Sequence, residues 1–299
     1  LNVKHNILPQ IDYSYQKSVS YSQFSTYQTC PHQWYLSYVK NLNPYSDSIH
    51  TIFGTTIHEV LQHYITVMYN KSGAAADRED LELMFQEKFT ELYKEAYNKT
   101  KNHFSSAEQM REFYDDGIAI IQHVRKKRNL IFSLKNTKLL GIELPIIIKV
   151  DNNLYLKGYI DVVFYNPAIN KVTIIDFKSS TRGWNDKQKK DDNKIAQILL
   201  YKEFFSKQYN VDVDNIDVEY LILKRKIWEE SEFPQSRIQS FKPASGKIKR
   251  AQVMEKFNKF IKDCFNNGVP IEKQYYKNVE ENSCKWCPYN NTEFCNKEN

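Results

Sequence analysis

The chain has 299 residues, 26% of them charged, and a net charge of +6. That length buries a full core, and no apolar run approaches the roughly 20 residues of a membrane-spanning helix, so such a helix is excluded. Residues 1–10 lack the charged-then-apolar layout of a secretory signal, which predicts an intracellular, cytoplasmic protein.

Residues 21–38 carry aromatic and apolar side chains at helical spacing, with Ser20 or Ser22 as a cap, and predict a first helix. Gly54-Thr55-Thr56 opens an amphipathic run to residue 69, with Ile57, Leu61, Tyr64, Ile65 and Met68 on one face and His58 one turn in. A small, flexible break at 72–76 precedes two charged helical stretches, 80–101 and 105–129, which read as an all-helical insertion. From residue 139 the pattern turns β-branched. The runs 140–150, 154–165 and 171–178, separated by the turns Asp151-Asn152-Asn153 and Asn166-Pro167-Ala168, predict three consecutive strands. A helix over 193–207, a strand over 218–223 and a helix over 251–265 follow. This order predicts an α/β fold with a mixed sheet. A single domain, 1–299, is expected, with N-terminal helices at 20–70, the insertion at 80–129, a core at 139–223 and a C-terminal segment at 247–299.

Asp176-Phe177-Lys178 ends the third strand, and side chains two apart on a strand share a face, so Asp176 and Lys178 point into one space while Phe177 packs behind. Asp161 in Gly158-Tyr159-Ile160-Asp161 lies where a meander brings it beside Asp176, and Gly158 permits close backbone approach. Two carboxylates so close are costly without a cation between them, and hard oxygen ligands favour Mg²⁺ or Mn²⁺. Glu143 is a further acidic candidate. Gln197 and Tyr201, four apart, project from one helix face. His58 is either a nitrogen ligand or a buried, hydrogen-bonded core residue. Basic runs at 125–128, 187–190, 224–226 and 247–250 could track a phosphate backbone or be ordinary solvated surface.

Of five cysteines, Cys284 and Cys287 form a Cys-x-x-Cys, Cys295 follows, and Cys30 stands alone near the other end, while Cys264 continues an apolar stripe and reads as core. By spacing alone, zinc fits the four thiolates as well as iron does.

The ordered set resembles the RecB-like branch of the PD-(D/E)XK nucleases, which includes the CRISPR-adaptation nucleases and the AddB nuclease domain. The set comprises a helix His (His58), Gly-x-x-Asp (Gly158, Asp161), Asp-x-Lys (Asp176, Lys178) and Gln-x-x-x-Tyr (Gln197, Tyr201). The resemblance implies a restriction-endonuclease-like core in which His58, Asp161, Asp176 and the Phe177 carbonyl bind the metal. Lys178 would orient and acidify the attacking water, and Gln197 and Tyr201 would support the lysine and the substrate. One cysteine before the core and three after it is similar to the iron–sulfur members. That implies a 4Fe-4S cluster on Cys30, Cys284, Cys287 and Cys295, with zinc as alternative occupant and His32 as substitute ligand, stapling the first helix to the C-terminal segment.

The implied activity is hydrolysis of DNA as a single-strand exonuclease, 5′ to 3′ by resemblance, in recombination, repair or phage DNA processing. Alternatives are a catalytically silent single-stranded nucleic-acid-binding module and an RNA-directed nuclease. No Walker-type loop occurs, so a helicase or recombination partner would be a separate protein.

Overall fold

A computed structural model describes residues 17–42, 48–132 and 135–295. The signal-free reading of residues 1–10 lies outside them. Strand β1 (Ser18–Val19) leads into α1 (Tyr21–Thr29), where the Ser20 hydroxyl accepts from the Gln23 N–H. The single helix expected over 21–38 is broken. Proline disfavours helical geometry in the residue before it, so Cys30 is extended at φ −157° and the chain restarts as α2 (Pro31–Trp34) and a π-helical turn (Tyr35–Val39).

Helix α3 (Ile49–Asn70) starts before Gly54 because Ser48 caps it, and its buried stripe includes the five apolar residues that the spacing predicts. The expected flexible break is instead a one-turn helix, α4 (Gly73–Ala76), capped by Ser72. Helices α5 (Leu81–Thr100) and α6 (Ala107–Ile131) occupy the predicted insertion. No helix among the described residues is long and apolar enough to cross a membrane.

Strands β2 (Lys138–Asp151), β3 (Leu154–Asn166) and β4 (Lys171–Ser180) form the predicted antiparallel meander. The short helix α7 (Asp186–Lys189) and the crossover helix α8 (Asp192–Tyr209) lead to β5 (Ile216–Lys224), which runs parallel to β4. Strand β6 (Ile238–Phe241) closes the sheet, and α9 (Lys247–Cys264) packs against α8 and α1. A two-residue hairpin of β7 (Phe265–Asn266) and β8 (Val269–Pro270) and a last turn of helix, α10 (Glu281–Cys284), complete the chain. The sheet order is β1-β3-β4-β5-β6, with β2 on the other edge of β3. Strands β1, β6, β7 and β8 are too short for periodicity to reveal.

Each face of the sheet carries a core. One gathers Phe24, Trp34, Leu199, Phe205, Phe257 and Phe260. The other gathers Phe53, Tyr64, Phe85, Phe113 and Ile120. Strand β4 alternates between them, with Val172 and Ile174 facing the first and Ile175 and Phe177 the second. That alternation carries Asp176 and Lys178 onto the α8 side and leaves Phe177 against α3.

Candidate active site

The site lies where one edge of β3 changes partner. Strand β4 pairs with β3 from Val162 onward, at Ile175, while β1 pairs with Tyr155 and Leu156. Asp161 falls in the gap between, one residue beyond the last pair and therefore level with Asp176. Across the other edge, Ile142 pairs with Val162 and Leu144 with Ile160, which places Glu143 opposite Asp161. Glu143 has φ +47°, a left-handed conformation uncommon for a side chain of its size. Here the inward alternation of β3 also changes phase: Ile160 and Val163 face one core, Val162 and Phe164 the other. Irregularities of this kind commonly re-aim side chains beside active sites.

Asp161 Oδ2 accepts from the Phe177 N–H at 2.7 Å, which ties the two strands at the split. Lys178 Nζ stands 2.6 Å from Asp176 Oδ2. That contact is an ion pair rather than an aligned hydrogen bond, since the buried Oδ2 has no well-directed donor. Burial first, and for Asp161 then the negative charge of Asp176, hold both carboxyls above the ordinary carboxylate range, and Lys178 offsets part of the shift. Burial and the neighbouring lysine push His58 down to about 3. The imidazole is therefore neutral, so one of its ring nitrogens keeps a lone pair for coordination, and its Nδ1 lies 3.7 Å from Asp161 Oδ2.

The lysine is held from α8. Lys178 Nζ donates to Gln197 Oε1 at 2.8 Å, and Gln197 Nε2 donates to the Tyr201 hydroxyl at 3.3 Å. Tyr201 lies over Gly158, where an added Cβ would come within 3.0 Å of the ring. The close approach expected at that glycine is thus made by a side chain. Sequence reasoning missed two members. Gln62 donates to Glu143 Oε1 at 2.6 Å, and its position one helical turn after His58 was a readable signal. Tyr220, whose ring centroid lies 5.8 Å from Lys178 Nζ, is level with Asp176 only through the parallel register of β5, which no local pattern specifies.

A divalent cation suits this donor set: two buried carboxyls, one with an oxygen lacking a directed donor, and a neutral imidazole. Among the described residues, no three His, Cys, Asp or Glu side chains are arranged as a complete metal site. At the aspartates, Lys178 and the Phe177 N–H each engage one carboxylate oxygen.

The same absence applies to the cysteines. Even so, Cys30 Sγ accepts from Asn278 N at 3.4 Å and Cys284 Sγ approaches Asn278 O at 3.6 Å, so both ends of the chain meet at one asparagine. Burial raises the Cys287 thiol, a hydrogen bond with the Tyr289 backbone lowers it, and the nearby Cys30, Cys295 and Cys284 raise it further. Thiolates are the ligands that a soft metal or cluster takes. Cys264 is fully buried in the core, as its stripe predicts. His32 instead places Nε2 3.2 Å from the Phe294 carbonyl oxygen.

Fold and site together define a class: a split mixed sheet presenting a carboxylate pair and a lysine, the group set of metal-assisted phosphodiester hydrolysis. The PD-(D/E)XK nuclease superfamily profile matches residues 18–293, and the chain belongs to that superfamily. No curated protein matches the chain.

Proposed function

We propose that this nuclease is a Mg²⁺- or Mn²⁺-dependent deoxyribonuclease of the RecB-like, iron–sulfur-containing branch, acting on single-stranded DNA ends with 5′-to-3′ polarity. The observation that carries the reading is the linked chain from Asp176 through Lys178 and Gln197 to Tyr201, set beside Asp161 at the sheet's split. Asp161, Asp176, His58 and the Phe177 carbonyl would hold the cation, which supplies Lewis-acid polarisation of the phosphate and a more acidic water. Lys178 would hold the attacking water and neutralise charge gathering on the phosphate oxygens. Gln197 fixes the lysine's direction and Tyr201 fixes the glutamine. Cys30, Cys284, Cys287 and Cys295 would hold a 4Fe-4S cluster that joins the chain's two ends.

Cleavage of end-labelled single-stranded DNA, with Mg²⁺, Mn²⁺ or EDTA, tests this beside Lys178→Ala. Cleavage that needs the cation and is lost in the variant supports the reading, and the labelled products give polarity. A folded wild type that binds but cleaves no DNA overturns it in favour of a silent binding module. Cleavage confined to RNA overturns the substrate.

A further inference from the structure

Two basic runs separated by about a hundred residues meet beyond the C-terminal end of β4. His123, on α6, places Nε2 3.1 Å from Ser236 Oγ, next in sequence to Arg237, and it is pushed down by burial and then by the charges of Lys127, Arg237, Lys224 and Lys126. Burial and Arg237 also lower Lys224. Arg225 and Lys226 are neutralised by Glu112 and Asp116. By contrast, Arg182, Lys224, Arg237, Lys126 and Lys127 form no ion pair with a carboxylate among the described residues. Like charges gathered without counterions cost free energy that a polyanion would relieve.

The surface beside this cluster is shaped. Arg225 N donates to Ser180 O at 2.9 Å and Lys226 N to Thr181 O at 2.7 Å, which locks the ends of β4 and β5 together. Gly183, at φ +94°, turns the chain so tightly that an added Cβ would come within 3.0 Å of the Lys224 side chain. The result is an open depression of about 870 Å³ lined by Arg182, Lys224, Lys226 and Trp228 and also by Glu229 and Glu230, whose charges offset part of the cations'. The Trp228 indole is 68% exposed. Arg182 lies two residues past the end of β4, at most about 14 Å along the chain from Lys178.

We propose that this depression is a second contact site for single-stranded DNA, gripping the strand beyond the scissile bond. Backbone phosphates lie on Arg182, Lys224 and the cations behind them, and one base stacks on Trp228. Stacking on an aromatic face tolerates any base, so the grip is independent of sequence. The proposal rests on the nuclease reading, and it adds a binding site that the catalytic residues do not contain.

The test is fluorescence anisotropy of a labelled oligo-dT in EDTA over a range of salt, with the full-length wild type, an Arg182→Ala/Lys224→Ala double variant, Trp228→Ala, and Lys94→Ala/Lys99→Ala as a charge-matched control. The double variant should weaken binding and flatten log K against log salt by about 1.4, at roughly 0.7 per phosphate contact on a single strand. Trp228→Ala should weaken binding about 5- to 150-fold. The control should change the slope by less than the double variant does. Trp228→Phe, which keeps an aromatic face, should bind nearly as wild type while losing the oligo-dependent quenching of tryptophan emission. A wild type that binds and cleaves, with depression variants whose affinity, slope and quenching all match it, overturns the second site and leaves the nuclease reading intact. A wild type that neither binds nor cleaves overturns both.

Discussion

Gly158→Ala should slow the enzyme far more than it unfolds it. The new Cβ would stand 3.0 Å from Tyr201 Cε1 and 3.1 Å from its hydroxyl. Carbon atoms settle at about 3.5 Å or more, so the ring must retreat by roughly 0.5 Å. Tyr201 is buried, so crowding there costs about 1–3 kcal/mol of stability. The larger consequence follows the hydrogen bonds. The Gln197–Tyr201 bond is already 3.3 Å long, and a retreat of that size takes it beyond hydrogen-bonding range. Gln197 then loses the contact that aims it at Lys178. Misplacement by about 1 Å can cost a hundredfold in rate, so a shift of half that predicts a loss of roughly tenfold. Single-turnover cleavage, normalised to folded protein, measures it. In a Tyr201→Leu background the same glycine change should add little, because the atoms it meets are gone. Full speed in Gly158→Ala, or an undiminished loss in the double variant, refutes the chain of contacts.

Asp116→Ala removes the nearer carboxylate of Arg225, which is 7% exposed and 2.9 Å from it, and leaves Glu112 at 3.7 Å; the expected cost is about 3 kcal/mol in urea unfolding, the low end for breaking a buried pair, and a loss under 1 kcal/mol would sink the idea. Lys249, at 2.6 Å, and Lys256 hold the Asp192 carboxyl below its ordinary range. The folded value is depressed, so the stability it contributes is present above the unfolded value and lost as pH falls through the folded one. Asp192→Asn should therefore cost about 0.5–1 kcal/mol at neutral pH, a figure discounted for its exposure, and nothing in strong acid; thermal unfolding at both pH values checks the sign. Protein purified without oxygen should carry about four iron and four sulfide per chain, with Cys284→Ser losing them and Cys264→Ser keeping them; one tightly held zinc and no iron would assign the thiols to zinc instead.

The sequence by itself determined what depends on neighbours along the chain. Alternation in 171–178 placed Asp176 and Lys178 on one face, and four-residue spacing aligned Gln197 with Tyr201. The β-branched runs predicted the meander that the registers of β2, β3 and β4 contain. Only the tertiary structure decided the rest. That Asp161 sits at the split of the sheet depends on where β1 stops and β4 begins along β3. Tyr220 reaches Lys178 through the parallel register of β5, set by packing across α8. The break at Cys30 was signalled by Pro31, but the meeting of Cys30 with Cys284 at Asn278 joins residues about 250 positions apart. Local periodicity records which face a side chain takes, whereas register and long-range docking follow from filling two cores at once, and that information is spread over the whole chain.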